Sequence, residues 1–202
     1  MNEMTDFLAN GVVLSQHGVR LEPLDFTHAD GLAKACQDGE LWTLRVTSTP
    51  HYTKVDEYIA QALEQKNVGS RFAFAVIDIE QDLVIGTSSY HDIVPALGRV
   101  EIGYTWYAKT YQRTHVNTTC KFLLLQYAFE VLKVNTVGFR TDQFNFASQK
   151  AIERLGAKKD GVIRGHALRK DGSIRDTVMY SIVNGEWTNV KAHLSYLLQD
   201  KY

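Results

Sequence analysis

The sequence predicts an α+β fold, a twisted mixed sheet of about seven strands flanked by helices. Three observations predict it. The strand-like runs Arg71–Asp78 and Leu83–Ile93 are separated by the short turn Glu80–Asp82 and form a hairpin. Further on, strand and helix patterns alternate as β-α-β-α, which calls for a right-handed parallel crossover. Near the C-terminus a second hairpin turns at Asp171-Gly172, the strongest short hairpin signal in the chain. Hairpins on either side of one β-α-β unit make a sheet that is neither all-antiparallel nor uniformly parallel.

Each element has a local reason. Val19–Leu24 alternates apolar and polar residues and reads as the first strand. Asp25–Thr27 offer caps to a helix with the stripe Ala29, Leu32, Ala33 and Cys36. Val55–Gln65 carries Tyr58, Ile59, Ala62 and Leu63 at helical spacing. After the first hairpin, Arg99–Tyr107 is a strand. Its alternation puts Val100, Ile102, Tyr104 and Trp106 on one face and Glu101, Gly103, Thr105 and Tyr107 on the other. Thr118–Leu132 is a helix with the stripe Phe122, Leu125, Phe129 and Leu132, and Val134–Asp142 is the next strand. Asn145 opens a helix carrying Ala147, Ala151, Ile152 and Leu155, and Gly156 ends it. Trp187–Leu198 is a terminal amphipathic helix. Residues 1–202 read as a single domain, with 1–18 a lead-in and 186–202 the C-terminal helix.

Composition narrows the function. Lys plus Arg number 22 and Asp plus Glu 23, so bulk attraction to nucleic acid or to an anionic membrane is not expected. Cys36 and Cys120 are far apart, with no spacing suited to a disulfide framework or a metal site, and no metal is expected. MNEMTDFLAN is acidic and lacks the apolar run of a secretory signal, and no stretch is long enough to span a bilayer. A cytoplasmic setting is the expectation.

The chemistry concentrates in the β-α-β-α unit. Glu101 lies on a middle strand, where burial without a cation would raise its pKa and suit it to base chemistry. The plain alternative is a glutamate paired to an arginine. Gly103 leaves room for something to approach the backbone. The loop Gln112–Asn117 precedes a helix whose first-turn amides favour an anion, although Asn117, Thr118 and Thr119 can equally serve as caps. Asn145 suits an N-cap and Ser148 falls at N3 of the following helix. Both junctions face the crevice where a β-α-β unit opens, a usual place for a ligand.

VEIGYTWY, QRTHVNT and TDQFNFASQKAIERLGAKKDGVIR together resemble the GNAT acetyltransferase superfamily, within it the RimJ/RimL-like branch, over about Val19–Leu198. The resemblance implies two central parallel strands that splay apart and receive acetyl-CoA. Its pantetheine would run beside Tyr104 and Trp106, and its pyrophosphate would meet Gln112, Arg113, Thr114, His115, Val116, Asn117 and Thr118. The family loop reads Gln/Arg-x-x-Gly-x-Gly/Ala, and here His115 stands at the expected glycine. Asn145 would bond the pantetheine. Glu101 would act as base or amine-orienting group, and Ser148 would hydrogen-bond the leaving thiolate. The tyrosine that many members place seven residues after the asparagine is Ile152 here, so the usual acid is absent. Cys120 is expected only to pack.

The implied reaction is direct acetyl transfer to a primary amine, a peptide N-terminus or a small molecule, with a homodimer as a further expectation. Trp42, Tyr90 and His91, with Tyr52 and Asp92 nearby, are the expected acceptor walls. The alternatives are a non-catalytic CoA-binding or sensor module, for which His115 and Ile152 would be the signs, and an assembly protein using the terminal helix.

Overall fold

The structure, a computed structural model, describes residues 3–200. Met1, Asn2, Lys201 and Tyr202, the ends of the expected lead-in and terminal helix, lie outside the described residues.

Eight strands form one sheet: β1 Leu14–Gln16, β2 Val19–Pro23, β3 Arg71–Asp78, β4 Leu83–Val94, β5 Arg99–Tyr107, β6 Thr136–Asp142, β7 Lys158–Leu168 and β8 Ile174–Val183. Their spatial order is β1-β2-β3-β4-β5-β6-β8-β7, and only β5 and β6 run parallel. The helices are α1 Glu3–Asn10, α2 Ala29–Gln37, α3 Val55–Asn67, α4 Val116–Gln126, α5 Phe146–Arg154 and α6 Trp187–Asp200. The mixed α+β architecture is the expected one. The eighth strand and the first helix are additions. β1 is the polar tripeptide LSQ paired to β2, and α1 buries only Met4 and Phe7, so neither carries a periodic signal.

Two apolar layers cover the sheet. On one face α1, α4, α5 and α6 pack on Phe72, Phe74, Tyr90, Val100 and Ile102. On the other, α2 and α3 pack on Ala73, Ala75 and Trp106. The second face holds the polar groups described below.

β5 departs from strict alternation. Thr87 pairs with Trp106 but Ser89 with Gly103, so β5 has one extra residue, a bulge, and Tyr104 there has φ +50°. Beyond it the pleat is reversed. Trp106 lies in the α2/α3 layer and Tyr107 in the α4 layer, the opposite of the simple alternation. α4 starts at Val116, two residues earlier than expected, and runs into a π-helical turn, Tyr127–Val131.

Candidate active site

β5 and β6 pair through Arg99↔Thr136, Val100↔Val137 and Glu101↔Gly138 and no further. Both strands continue, β5 to Tyr107 and β6 to Asp142, with no ladder between them. A gap therefore opens at Glu101, and the starts of α4 and α5 follow the two strand ends. A surface cavity of about 350 Å³ lined by Pro95, Gly98, Leu132 and Val134 lies at the other end of these strands. It is away from these groups.

At the root of the gap Glu101 is 2 % exposed. Arg99 Nη2 donates to its Oε1 at 2.8 Å, and Arg140 Nε to its Oε2 at 2.6 Å. Burial pushes its pKa up, and the Arg99 guanidinium opposes the shift. The paired glutamate, the plain alternative of the sequence, is therefore what the fold contains. Arg140 also pairs with Asp92, whose backbone has φ +43°. His91 sits across from Glu101, with Nδ1 3.4 Å from Asp92 Oδ2. Burial, with the nearby cations Arg140, Arg71 and Lys121, holds its imidazole neutral, with a pKa down to about 3. Ligand atoms of His91, Asp92 and Glu101 lie within 4.8 Å of one another, but guanidiniums already occupy the two carboxylates.

Two glycines make this cluster possible. A Cβ on Gly138 would stand 2.8 Å from Glu101 Cγ, and one on Gly103 would stand 2.3 Å from His91 Nε2. The space beside Gly103, expected for a ligand, is filled by His91. Tyr104 lies edge-on to His91, ring centroids 5.1 Å apart, and its ring takes the Arg71 guanidinium at 3.8 Å. Arg71 is itself 1 % exposed and donates to Ser89 Oγ and to the Tyr58 hydroxyl. Trp106 is buried beside Tyr58, and its indole N–H has no hydrogen-bond partner among the described residues.

The loop before α4 answers the question of the missing glycine. His115 has φ −66°, ordinary right-handed backbone, and its Nε2 lies 3.1 Å from the His17 carbonyl on the β1–β2 turn. The left-handed residue is Arg113, at φ +63°. Gln112 Nε2 donates to the Tyr107 carbonyl, and Thr114 Oγ1 accepts from the Val116 amide at 3.3 Å. Asn117, Thr118 and Thr119 lie inside α4, which starts at Val116, so they are not the caps that their types suggested; Thr118 and Thr119 are buried. First-turn amides without intrahelical partners remain.

At the other junction Asn145 is the N-cap of α5, its Oδ1 accepting from the Ser148 amide at 3.0 Å. Its Nδ2 makes a long bond, 3.4 Å, to the Val46 carbonyl. The half-buried Ser148 hydroxyl has no hydrogen-bond partner among the described residues. Ile152 is a core residue.

Among the expected acceptor walls, His91 reaches the gap. Tyr90 does not: neighbouring strand residues point to opposite faces, and Tyr90 is fully buried against α4, donating to the Leu124 carbonyl. Trp42 clusters with His51 and Tyr52, ring centroids 4.9 and 5.6 Å away. Its segment is tied to the β7–β8 hairpin by Arg45–Asp171 at 2.7 Å and by Lys170 Nζ to the Thr49 carbonyl at 2.6 Å. Sequence reasoning missed Arg99 and Arg140. The alternation that placed Glu101 also puts Arg99 on its face, whereas Arg140 needed the β5–β6 register.

Comparison with known proteins bears on the family and the fold. Residues 19–158 match the family model described as an acetyltransferase (GNAT) domain. The chain is 25% identical over 168 residues to an uncharacterized N-acetyltransferase of Bacillus licheniformis, covering 83% of this chain and 93% of that one. The crystal structure of a GCN5-related N-acetyltransferase from Brucella melitensis superposes with TM-score 0.83 at 29% identity, over 93% of this chain and 85% of the other. RimL, a ribosomal-protein alpha-N-acetyltransferase solved with coenzyme A, shares the fold at TM-score 0.71 and 15% identity, over 85% and 98% of the two chains.

Proposed function

The chain belongs to the acetyltransferase (GNAT) domain family, and we propose that it moves the acetyl group of acetyl-CoA directly to a primary amine in the gap between β5 and β6. The observation that carries the reading is the parting of these strands after three residue pairs, with a helix start beyond each. Acetyl-CoA supplies an acetyl group already activated as a thioester.

The protein's part is mainly to hold both substrates in line. In this reading the amides of Arg113, His115, Asn117 and Thr118 take the pyrophosphate, helped by the α4 dipole and the Arg113 charge. Gln112 and Thr114 brace the loop through their bonds to the Tyr107 and Tyr111 carbonyls. The Val116 amide is already used by Thr114 and contributes less. The β5 edge around Tyr104 and Trp106 lines the pantetheine, and the long Asn145–Val46 bond is weak enough for Asn145 to turn to it.

Glu101, ionised between two guanidiniums, orients the amine, and the released proton passes to water. Ser148, with a free hydroxyl, donates a hydrogen bond to the departing thiolate. Its neutral hydroxyl is a hydrogen-bond donor rather than a strong acid. His91 and Trp42 face the acceptor, a peptide N-terminus or a small amine. A homodimer would use the exposed Val162, Ile163 and Ile174 of the β7–β8 hairpin.

Calorimetric titration with acetyl-CoA and with CoA tests the site. Asn145→Ala is expected to weaken binding about tenfold, as loss of a cap and a ligand contact of one to two kcal/mol implies. Thiol release with an amine panel then reads turnover. Unaltered CoA affinity in Asn145→Ala would remove this residue from the cofactor site.

A further inference from the structure

The charges at the open end of the gap are unequally paired. Asp92 and Glu101 are held by Arg140, and Glu101 also by Arg99. Asp142 is held by Arg169 at 2.6 and 3.1 Å, and Asp171 by Arg45. Arg175 is left over. No carboxylate lies within 4.0 Å of its guanidinium among the described residues, and its Nε is buried without a hydrogen-bond partner.

Register fixes where Arg175 stands. Arg140 pairs with Met179 and Asp142 with Thr177, so alternation puts Arg175 on the face that bears Arg140 and Asp142. It lies two residues past the partner of the last β6 residue, beyond the end of β6, and close enough to Arg140 to act on its charge. Burial lowers the Arg175 pKa most, the Asp142 carboxylate, already bonded to Arg169, partly offsets this, and Arg169 adds a like charge; Arg140 feels the Arg175 charge in turn. A half-buried guanidinium beside two arginines, and near only a carboxylate that Arg169 already holds, gains from a further anion. The buried Nε is closed to a ligand, so an incoming carboxylate would be met by the outer Nη pair of the guanidinium. Lys170, whose Nζ donates to the Thr49 carbonyl, adds a positive charge on the neighbouring β7–β8 turn.

From this geometry we infer that the acetyl acceptor carries a carboxylate as well as its amine, and that Arg175 binds that carboxylate as the specificity-determining residue. The inference rests on the acetyl-transfer reading above. The negative group, Glu101, lies deep and the positive group lies beyond the end of β6, which is the order an amine entering ahead of its carboxylate requires. A polyamine would set a second cation against Arg175 and Lys170. The shared chemistry fits a free amino acid or an acidic peptide N-terminus.

Acetylated products test the inference without needing turnover. With CoA present, calorimetry would compare N-acetylglutamate with N-acetylglutamine amide, and an N-acetylated tripeptide amide beginning with Glu with its Gln counterpart. The expected result is at least a tenfold preference for the carboxylate in one of these pairs, falling below twofold in Arg175→Gln and partly restored in Arg175→Lys. The pair that shows it identifies free acid or peptide. Equal affinities, a preference that survives Arg175→Gln, or a loss of CoA affinity in Arg175→Gln would each overturn the assignment. Thiol release separates the two readings. Turnover with neutral amines but no carboxylate preference sinks this inference alone. An Arg175-dependent preference without any turnover sinks acetyl transfer alone.

Discussion

Arg113 and His115 occupy one loop under different backbone demands. His115 has φ −66°, which any residue adopts, while Arg113 at φ +63° sits where side chains are disfavoured. His115→Gly is therefore expected to change CoA affinity by no more than about twofold, since no strain is relieved there. Arg113→Gly is expected to relieve about 1 kcal/mol of left-handed strain while weakening CoA binding by loss of the charge. Calorimetry and thermal melting check both variants. A large gain in affinity in His115→Gly would show that the side chain obstructs the loop. His115 thus gives little support to a degraded, non-catalytic site.

At the scale of the element, α4 joins the start proposed to bind the pyrophosphate to a sheet-facing side that carries a buried cation. Lys121 is 5 % exposed and donates to Thr105 Oγ1 at 2.6 Å and Ser88 Oγ at 3.1 Å, with no carboxylate within 4.0 Å among the described residues. Burial lowers its pKa from 10.5 to about 8. The folded state therefore holds fewer protons than the unfolded state between pH 8 and 10.5, and wild-type stability gains across that window. Below pH 8 the charged ammonium is a constant burden. Lys121→Met is expected to raise the melting temperature at pH 7, and its advantage should shrink by up to about 1.4 kcal/mol per pH unit above pH 8. The Ser88 and Thr105 hydroxyls, 2.8 Å apart, can satisfy each other after the substitution. A destabilised Lys121→Met with unchanged pH dependence would place the lysine among the stabilising groups.

At the scale of the molecule, α6 completes the layer over α4. Trp187, Val190, Leu194 and Leu198 are buried there, and Trp187 stacks on Phe129 at 5.3 Å. Trp187 Nε1 and Lys191 Nζ both donate to Glu130 Oε1, fixing the helix to the end of the π-turn. Burying four such side chains is worth roughly 6–12 kcal/mol, comparable to the whole stability of a domain. Removing residues 187–202 is therefore expected to abolish the cooperative thermal transition, as circular dichroism would show. A truncated protein that still melts cooperatively would mean that the α4 face folds without its cover.

The sequence by itself determined the elements and the starts of the two site helices in outline. β3 and β5 have the bounds that their patterns predicted, and Asn145 and Ser148 stand at N-cap and N3 of α5. Both follow from short-range spacing, since caps and strand alternation are set within a few residues. Only the tertiary structure decided which groups meet. The extra residue at Tyr104 reverses the pleat, so Trp106 and Tyr107 exchange faces. Arg140 reaches Glu101 across 39 positions of sequence. Gly103 and Gly138 make space for His91 and Glu101. Register and bulges are products of the assembled sheet, and they decide whether Glu101 is a free base or a paired carboxylate.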